Sequence, residues 1–434
     1  KKLTRAQKKE LGLAELIAIA LGGMVGGGIF SILGISVEQI GNATPIAFLI
    51  GGILALFAAY SYVKLAGLFK DEGATYSFFK KTFPKSPFAS AVIGWLVSFG
   101  YISTLALYAF TFSTYLSSQL PFENSYWTNR VIAGLIIALF AFVNIKSVKG
   151  MGKLEDWMVY TKLILLLFIS GLLAGKGTIE NFTPLIETDS TLIGILIISS
   201  ITFVAFEGFQ LVIHAYNEMD NPKRNIPRAI YSSIGIATFL YVILAIGALA
   251  TIPKELLIAD KEYALAAGAG EILGGLGRFV VIFGALLATS SAISGTLFGA
   301  SRLIAVIAND GYFPKVFSKR VNTFIPKNAI ILMSILAFIL ILSGGLQIIL
   351  EFGSITFIIV SLLMAYANFV KRKETKTNVA FALIAMFGLL FAGALIFYFE
   401  FTESPEQLYY IFGIYLILII GAFIYSKRIM QKMP

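Results

Sequence analysis

Polar and apolar positions along this chain separate into long blocks rather than alternating with the period of a strand or of a half-buried helix. Apolar runs of eighteen or more residues recur from end to end, the length a helix needs to cross about 30 Å of hydrocarbon. Twelve such runs stand at about 12–40, 44–69, 88–119, 128–146, 157–175, 191–217, 228–251, 271–308, 328–343, 348–369, 378–399 and 407–426. Barrel strands would be near ten residues long and alternating, and that pattern is absent. The prediction is an all-α integral membrane protein with twelve transmembrane helices, embedded in a lipid bilayer.

Composition agrees. Hydrophobic residues make up 58% of the 434 positions and charged residues 13%, with a mean hydropathy of +0.85; a soluble chain carries about twice that charged fraction. The net charge of +10 invites a nucleic-acid reading, but its placement argues otherwise. With the amino terminus inside, the inner segments hold 28 of the 34 Lys and Arg, leaving Arg130, Lys176, Lys254, Lys261 and Arg278 outside and Lys162 within a span. Glu180, Glu187, Asp189, Glu400, Glu403 and Glu406 fall in outer segments. This is the positive-inside bias, which places both termini in the cytoplasm of a multi-pass cell (plasma) membrane protein and leaves no reason to expect nucleic acid. The basic start "KKLTRAQKKE" runs into a span much longer than a signal core, so no cleaved leader is expected. With no cysteine, disulfides and thiolate chemistry are excluded.

The chain reads as one transmembrane domain over residues 1–434. Helices one to five (12–175) and six to ten (191–369) form two groups of five, and an odd number of crossings sends the second group in from the opposite side. This is the inverted-repeat plan of many secondary transporters, with two additional helices at 378–426. Between them, "EMDNPKRNIPRAI" (218–230) reads as a tight polar turn, with Pro222 and Pro227 ending one helix and starting the next. "KDEGATYSFFKKTF" (70–83) is expected to lie along the inner membrane surface. Segment 253–270 reads as a short helical cap on the outer side.

The first span is weakened in its middle. "IALGGMVGGGIFSILG" (18–33) holds Gly22, Gly23, Gly26, Gly27 and Gly28, and each glycine costs a helix interior about 1 kcal/mol against alanine. Two explanations stand. The small-xxx-small spacing lets membrane helices approach closely, or the helix breaks there. Non-helical backbone at membrane depth is tolerated only where it is buried in protein or lines a cavity, and freed amides and carbonyls suit a zwitterion. The sixth span, "SSITFVAFEGFQLVIHAYNE", puts Glu207 and Gly208 near its middle. Glu207 lies 11 residues from Glu218, about 16 Å at helical rise, a depth at which an ionisable group is a functional-site hypothesis.

"GGMVGGGIF", "FVAFEGFQ", "EMDNPKRNIPRAI" and "ASRLIAVIANDGYFP" (300–314), in this order and at this separation, resemble the signatures of the amino acid–polyamine–organocation (APC) superfamily, closest to the ApcT-type proton-coupled amino acid transporters. The resemblance covers essentially all twelve spans and implies a five-plus-five inverted repeat with broken helices 1 and 6. It assigns a substrate carboxylate to the amides of Gly27 and Gly28, and a substrate ammonium to the carbonyls of Met24, Val204, Ala205 and Glu207. Tyr101, Thr104, Phe206 and Glu207 are the candidates for pocket walls.

Lys162 lies six residues past Asp156, about 9 Å into helix 5. Its ammonium either snorkels to the interface or takes the position of a coupling cation. The resemblance supports the second and implies contact with the Gly22 carbonyl and with Ser290 or Ser291 of helix 8, so that the proton is the coupling ion and sodium is unnecessary. A lysine that loses its proton would release a tie between helices 5, 1 and 8. Glu207 has three readings: a second proton carrier, a partner for a cationic substrate group, or a protonated residue bonded between helices. His214, the only histidine, reads as a satisfied packing residue, with no metal site and no catalytic triad. Glu15, Glu271 and Glu351, near span ends, receive no role.

No Walker run and no HExxH pair is present, and no oxyanion site accompanies Ser290 and Lys162, so neither an enzyme nor an ATP-driven pump is expected, and no cofactor. The expectation is a secondary active amino acid transporter. An amino acid or polyamine/amine exchanger is the alternative, and a transporter-like receptor or channel a more distant one.

Overall fold

In a computed structural model, residues 11–120, 126–186, 191–259, 263–321, 325–343, 346–403 and 405–430 are described. The basic start of the chain, Glu187, Asp189 and Lys261 lie outside the described residues. The described chain is helical, with two isolated bridge pairs and no named strand. In order the helices are α1 (Leu13–Met24), α2 (Gly27–Ile40), α3 (Thr44–Phe69), α4 (Ala74–Thr82), α5 (Pro87–Ser117), α6 (Tyr126–Lys146), α7 (Val148–Lys176) and α8 (Leu192–Thr202). They continue with α9 (Leu211–His214), α10 (Pro222–Thr251), α11 (Lys254–Ala259), α12 (Ala264–Asn309), α13 (Lys327–Ser343), α14 (Leu346–Val370), α15 (Val379–Glu403) and α16 (Pro405–Met430).

Among the described residues eleven helical stretches are long and apolar enough to cross a membrane, and the shorter apolar α13 stands where the ninth is expected. The protein is an all-α membrane protein. Its core helix is the first: α1 packs on α7, α9, α10 and α12, and Leu16, Ile19, Leu21 and Met24 are buried. The last two helices are peripheral, with Phe387, Leu390, Leu416 and Ile417 turned outward. Such faces are favourable only against lipid.

Local chemistry sets the boundaries. Pro87 and Pro222 stand in the first turns of α5 and α10, where a missing N–H costs nothing. The hydroxyls of Ser147 and Thr191 accept from the amides of Gly150 and Gly194 and start α7 and α8. α7 therefore begins nine residues before the apolar run at 157.

One loop expectation is corrected. Pro227 does not bound α10 but lies inside its early turns, which begin at Pro222 after a left-handed Asn221; the solvated end tolerates the lost bond. In segment 70–83 the aromatic side chains meet protein. Its helix α4 is buried against α3, α5 and α14, with Tyr76, Phe78 and Phe79 inside the protein. The described part of segment 253–270 comprises α11 and the first part of α12, which Gly274 (φ 70°) separates from the rest.

Candidate functional site

The first span is broken. Val25 (φ −84°, ψ 70°) and Gly26 (φ −118°, ψ −149°) leave the helical region between α1 and α2. The sixth span breaks as well: α8 passes into a 3-10 turn at Phe203–Phe206, Glu207 is extended, and Gly208 takes φ 130° before α9. Glycine is needed at 208 because other residues avoid that conformation. The two breaks touch through backbone. A methyl at Gly208 would collide with the Gly23 carbonyl carbon, and one at Gly23 would fall 2.6 Å from Leu211. Both explanations of the glycine run therefore hold: Gly26 is crowded by Ala292 and Tyr108, Gly27 by Thr111, and the helix also opens. Gly28 differs, since a methyl there would meet nothing nearer than the Ala205 Cα at 3.9 Å.

In hydrocarbon a freed backbone group must find a partner. The Tyr108 hydroxyl bonds the Gly23 carbonyl at 2.9 Å. The Tyr241 hydroxyl lies 2.8 Å from the Met24 carbonyl and 2.7 Å from the Ala205 carbonyl, linking the two breaks. The Val204 carbonyl accepts from the Glu207 amide at 3.1 Å. The sixth-span break is closed by Gln210, whose carbonyl oxygen accepts from the Gly208 amide and whose amide donates to the Glu207 carboxyl. Tyr108, Tyr241 and Gln210 carried no mark in the sequence.

Of the pocket-wall candidates, Phe206 and Glu207 lie in the sixth-span break, while Tyr101 and Thr104 stand on α5. Tyr101 stacks edgewise on His214 and Phe357, the Thr104 hydroxyl donates to the Tyr101 carbonyl, and Phe206 packs against Tyr241. Glu207 is buried, with Oε1 lacking a hydrogen bond among the described residues. His214 is buried and its Nδ1 donates to the Glu72 carbonyl at 2.7 Å.

Lys162 does not snorkel. It is wholly buried, and its ammonium donates to the carbonyls of Leu21 (3.2 Å) and Val25 (2.7 Å) and to the Ser291 hydroxyl (2.6 Å). Of the two serines named, Ser291 is the partner and Ser290 is not; the Gly22 carbonyl is not a partner either, and the break turns the flanking carbonyls of Leu21 and Val25 toward α7 instead. Gly22 faces a residue the sequence reading passed over: a methyl there would collide with Oε1 of Glu155, which is wholly buried. Its seven-residue spacing from Lys162, two helical turns on one face, was the available signal.

The end of the bundle bearing most of the basic loops is closed. Arg302 and Glu218, both 2% exposed, form a two-pronged ion pair at 2.7 and 3.0 Å. Leu11 joins Glu218 and Asp220 through backbone hydrogen bonds, and Glu72 pairs with Arg320 at 2.6 Å. Beside these lies a cleft of about 390 Å³ bordered by Asp71, Glu72, Lys80 and Asp310. Burial pushes the Asp71 carboxyl up, but hydrogen bonds from Lys81 and the Gly73 amide outweigh it and hold it below its ordinary value. Glu351 and Glu400 stand near the ends of α14 (Leu346–Val370) and α15 (Val379–Glu403) and are both buried.

The sequence profile described as amino acid permease matches residues 11–423. An uncharacterized protein of Methanocaldococcus jannaschii is 30% identical over 427 residues, 97% of this chain and 96% of its own. The inner membrane transport protein YbaT of Escherichia coli is 27% identical, covering 97% of each chain. The branched-chain amino acid permease BcaP of Bacillus subtilis is 24% identical over 73% of this chain and 70% of its own. With two broken helices meeting at a cluster of freed peptide groups, and a match spanning the bundle, this chain belongs to the amino acid permease family, a family of transporters and not of enzymes.

Proposed function

We propose that the protein is a secondary carrier of amino acids, coupled to protons and independent of sodium, in a cell membrane with both termini in the cytoplasm. Five helices over 12–175 and five over 191–369 form inverted halves around one site at the two breaks. The substrate carboxylate rests on the amides of Gly27 and Gly28, and its ammonium on the carbonyls of Met24, Val204, Ala205 and Glu207. The room at Gly28 supports the first assignment. For the second, Tyr241 holds the Met24 and Ala205 carbonyls in the state described, and an arriving ammonium displaces its hydroxyl. Apolar Phe206 at the break and the names of relatives such as the branched-chain permease favour a neutral amino acid.

One observation carries the coupling: the buried Lys162 ammonium binds two carbonyls of the broken first helix and a serine of α12. A dissolved cation would satisfy the same oxygens, and an ammonium that gives up its proton supplies that charge reversibly. Deprotonation frees α1 from α7 and α12, which gives alternating access its switch.

The unpartnered Oε1 of Glu207 favours one second reading, a substrate carrying an amine in place of the neutral side chain. Purified protein in sealed vesicles tests the whole. Radiolabelled L-leucine accumulates when the outside is more acidic, and a sodium gradient adds nothing. Accumulation that follows sodium and ignores pH overturns the coupling; accumulation of L-lysine alone transfers the site to the second reading.

A further inference from the structure

Glu155 has no part in the scheme above, yet it sits at its centre. Glu155 and Lys162 share one face of α7, and they address adjacent residues of α1. Lys162 binds the Leu21 carbonyl, while the Glu155 carboxyl occupies the space that the missing side chain of Gly22 leaves open. On α12, Gly295 borders the same space, where a methyl would stand at ordinary contact distance, 3.5 Å from Glu155 Oε1. Ser291 faces both groups: its hydroxyl receives the Lys162 ammonium, and its carbonyl lies 3.5 Å from where a Gly22 methyl would be. No direct ion pair joins acid and base, and among the described residues neither Glu155 oxygen has a hydrogen-bond partner.

The charged groups facing Glu155 are Lys162 and Asp156, both from its own helix; α1 presents Gly22 and the Ile19 carbonyl, and α12 presents Ser291, Ser294 and Gly295. The Ser294 hydroxyl accepts from Asn144 of α6. A buried carboxylate with at most the Ser294 hydroxyl as donor and no direct ion pair is more expensive than the neutral acid, which favours a protonated Glu155 in this closed state. The missing side chain of Gly22 makes its place. A residue needed only for packing would be served better by an apolar side chain.

We propose that Glu155 is a second proton-binding site, through which the proton on Lys162 leaves toward the cytoplasm. This rests on the proton-coupled reading given above. Seven residues of α7 place it about 10 Å nearer that side at helical rise. When α1 swings away at Gly22, water reaches the carboxyl. Its O–H bond breaks, the proton passes to that water, and a carboxylate remains. The Lys162 ammonium then gives up one N–H proton, carried by water, and an O–H bond forms on Glu155. A neutral amine and a carboxylic acid result, and one proton has left.

The test separates two transport modes in sealed vesicles with radiolabelled L-leucine. Counterflow exchanges labelled for unlabelled leucine and needs no net proton release; uptake driven by an inward pH gradient does. Glu155→Gln is expected to keep counterflow within about twofold of wild type and to lose gradient-driven uptake by about tenfold or more. Gradient-driven uptake equal to wild type with an unshifted pH profile overturns the assignment. Where Glu155→Gln fails to fold, Glu155→Asp decides. A working acid at altered depth shifts the pH optimum of net uptake, whereas equal loss in both modes at an unshifted optimum marks a structural residue and overturns the proposal. Wild-type protein that ignores the pH gradient sinks the coupling reading itself, a result distinct from a Glu155 variant that follows the gradient normally.

Discussion

The Lys162 ammonium lies 2.7 Å from the carbonyl of Val25, the residue at which the first helix stops being helical. A break in one helix and a charge on another thus satisfy each other, since neither a freed carbonyl nor an ammonium can be left unpaired in hydrocarbon. Lys162→Ala removes both the donor and the charge. It is expected to abolish pH-gradient uptake and to destabilise the protein by about 1–3 kcal/mol for the orphaned carbonyls. Lys162→Gln restores a donor without a titrating proton, so it should recover thermal stability and counterflow but not the response to pH. Uptake assays on vesicles of the two variants, with melting curves, check this; a pH response in either one argues against the assignment.

Tyr241 competes with the substrate in this account, because its hydroxyl occupies the Met24 and Ala205 carbonyls. Tyr241→Phe is expected to melt earlier than wild type without ligand, by the equivalent of about 1–3 kcal/mol. It should also show a larger stabilisation on adding L-leucine, since nothing then has to be displaced. A smaller ligand-induced shift would place the hydroxyl among the groups that hold the substrate.

Glycine substitutions at the two breaks should part company. Gly208→Ala meets both a φ of 130° and a collision with the first helix, and little folded protein is expected. Gly28→Ala meets open space and should fold with a near wild-type melting temperature. Its methyl, however, enters the room assigned to the substrate carboxylate, so transport should fall about tenfold or more. Normal transport by a well-folded Gly28→Ala protein would remove the carboxylate from that site.

The buried Arg302–Glu218 pair holds α12 to the segment after α9, where Leu11 is also tied. Glu218→Gln leaves the guanidinium short of its countercharge, at a cost of about 3–5 kcal/mol to the closed state. The chain has no cysteine, so a single cysteine placed at Val204 reports access cleanly. A membrane-impermeant maleimide applied at the basic end should label it several-fold faster in the Glu218→Gln background. Equal labelling rates would mean that the pair does not hold this end shut.

Much of this was legible in the residues. Apolar length alone located the helices to within a few positions, save where a serine cap or an early proline extended them into polar sequence, as at Ser147 and Pro222. The density of glycines at 22–28 marked the first span for either close packing or a break, and left the choice open. The second rested on one glycine, and its closure by Gln210 could not be read. Which carbonyl a long lysine reaches depends on how a broken backbone turns, so Leu21 and Val25 took the place of Gly22. The aromatic face of α4 meets protein rather than lipid, a choice its pattern leaves open. Tyr108 and Tyr241 are two of 19 tyrosines, and nothing local separates those that bond a freed carbonyl from those that fill space.

In the proposed binding mode, exposed peptide groups at the two breaks grip both ends of an amino acid. That mode is tested most directly by the thermal stabilisation of purified protein with L-leucine, its decarboxylated amine (3-methylbutylamine) and its deaminated acid (4-methylpentanoic acid). A ligand that binds the folded state at about 100 times its Kd adds about 2.7 kcal/mol. A clear rise in melting temperature is expected with leucine and almost none with either analogue at equal concentration. Stabilisation by the amine or the acid alone, matching that of leucine, would contradict it.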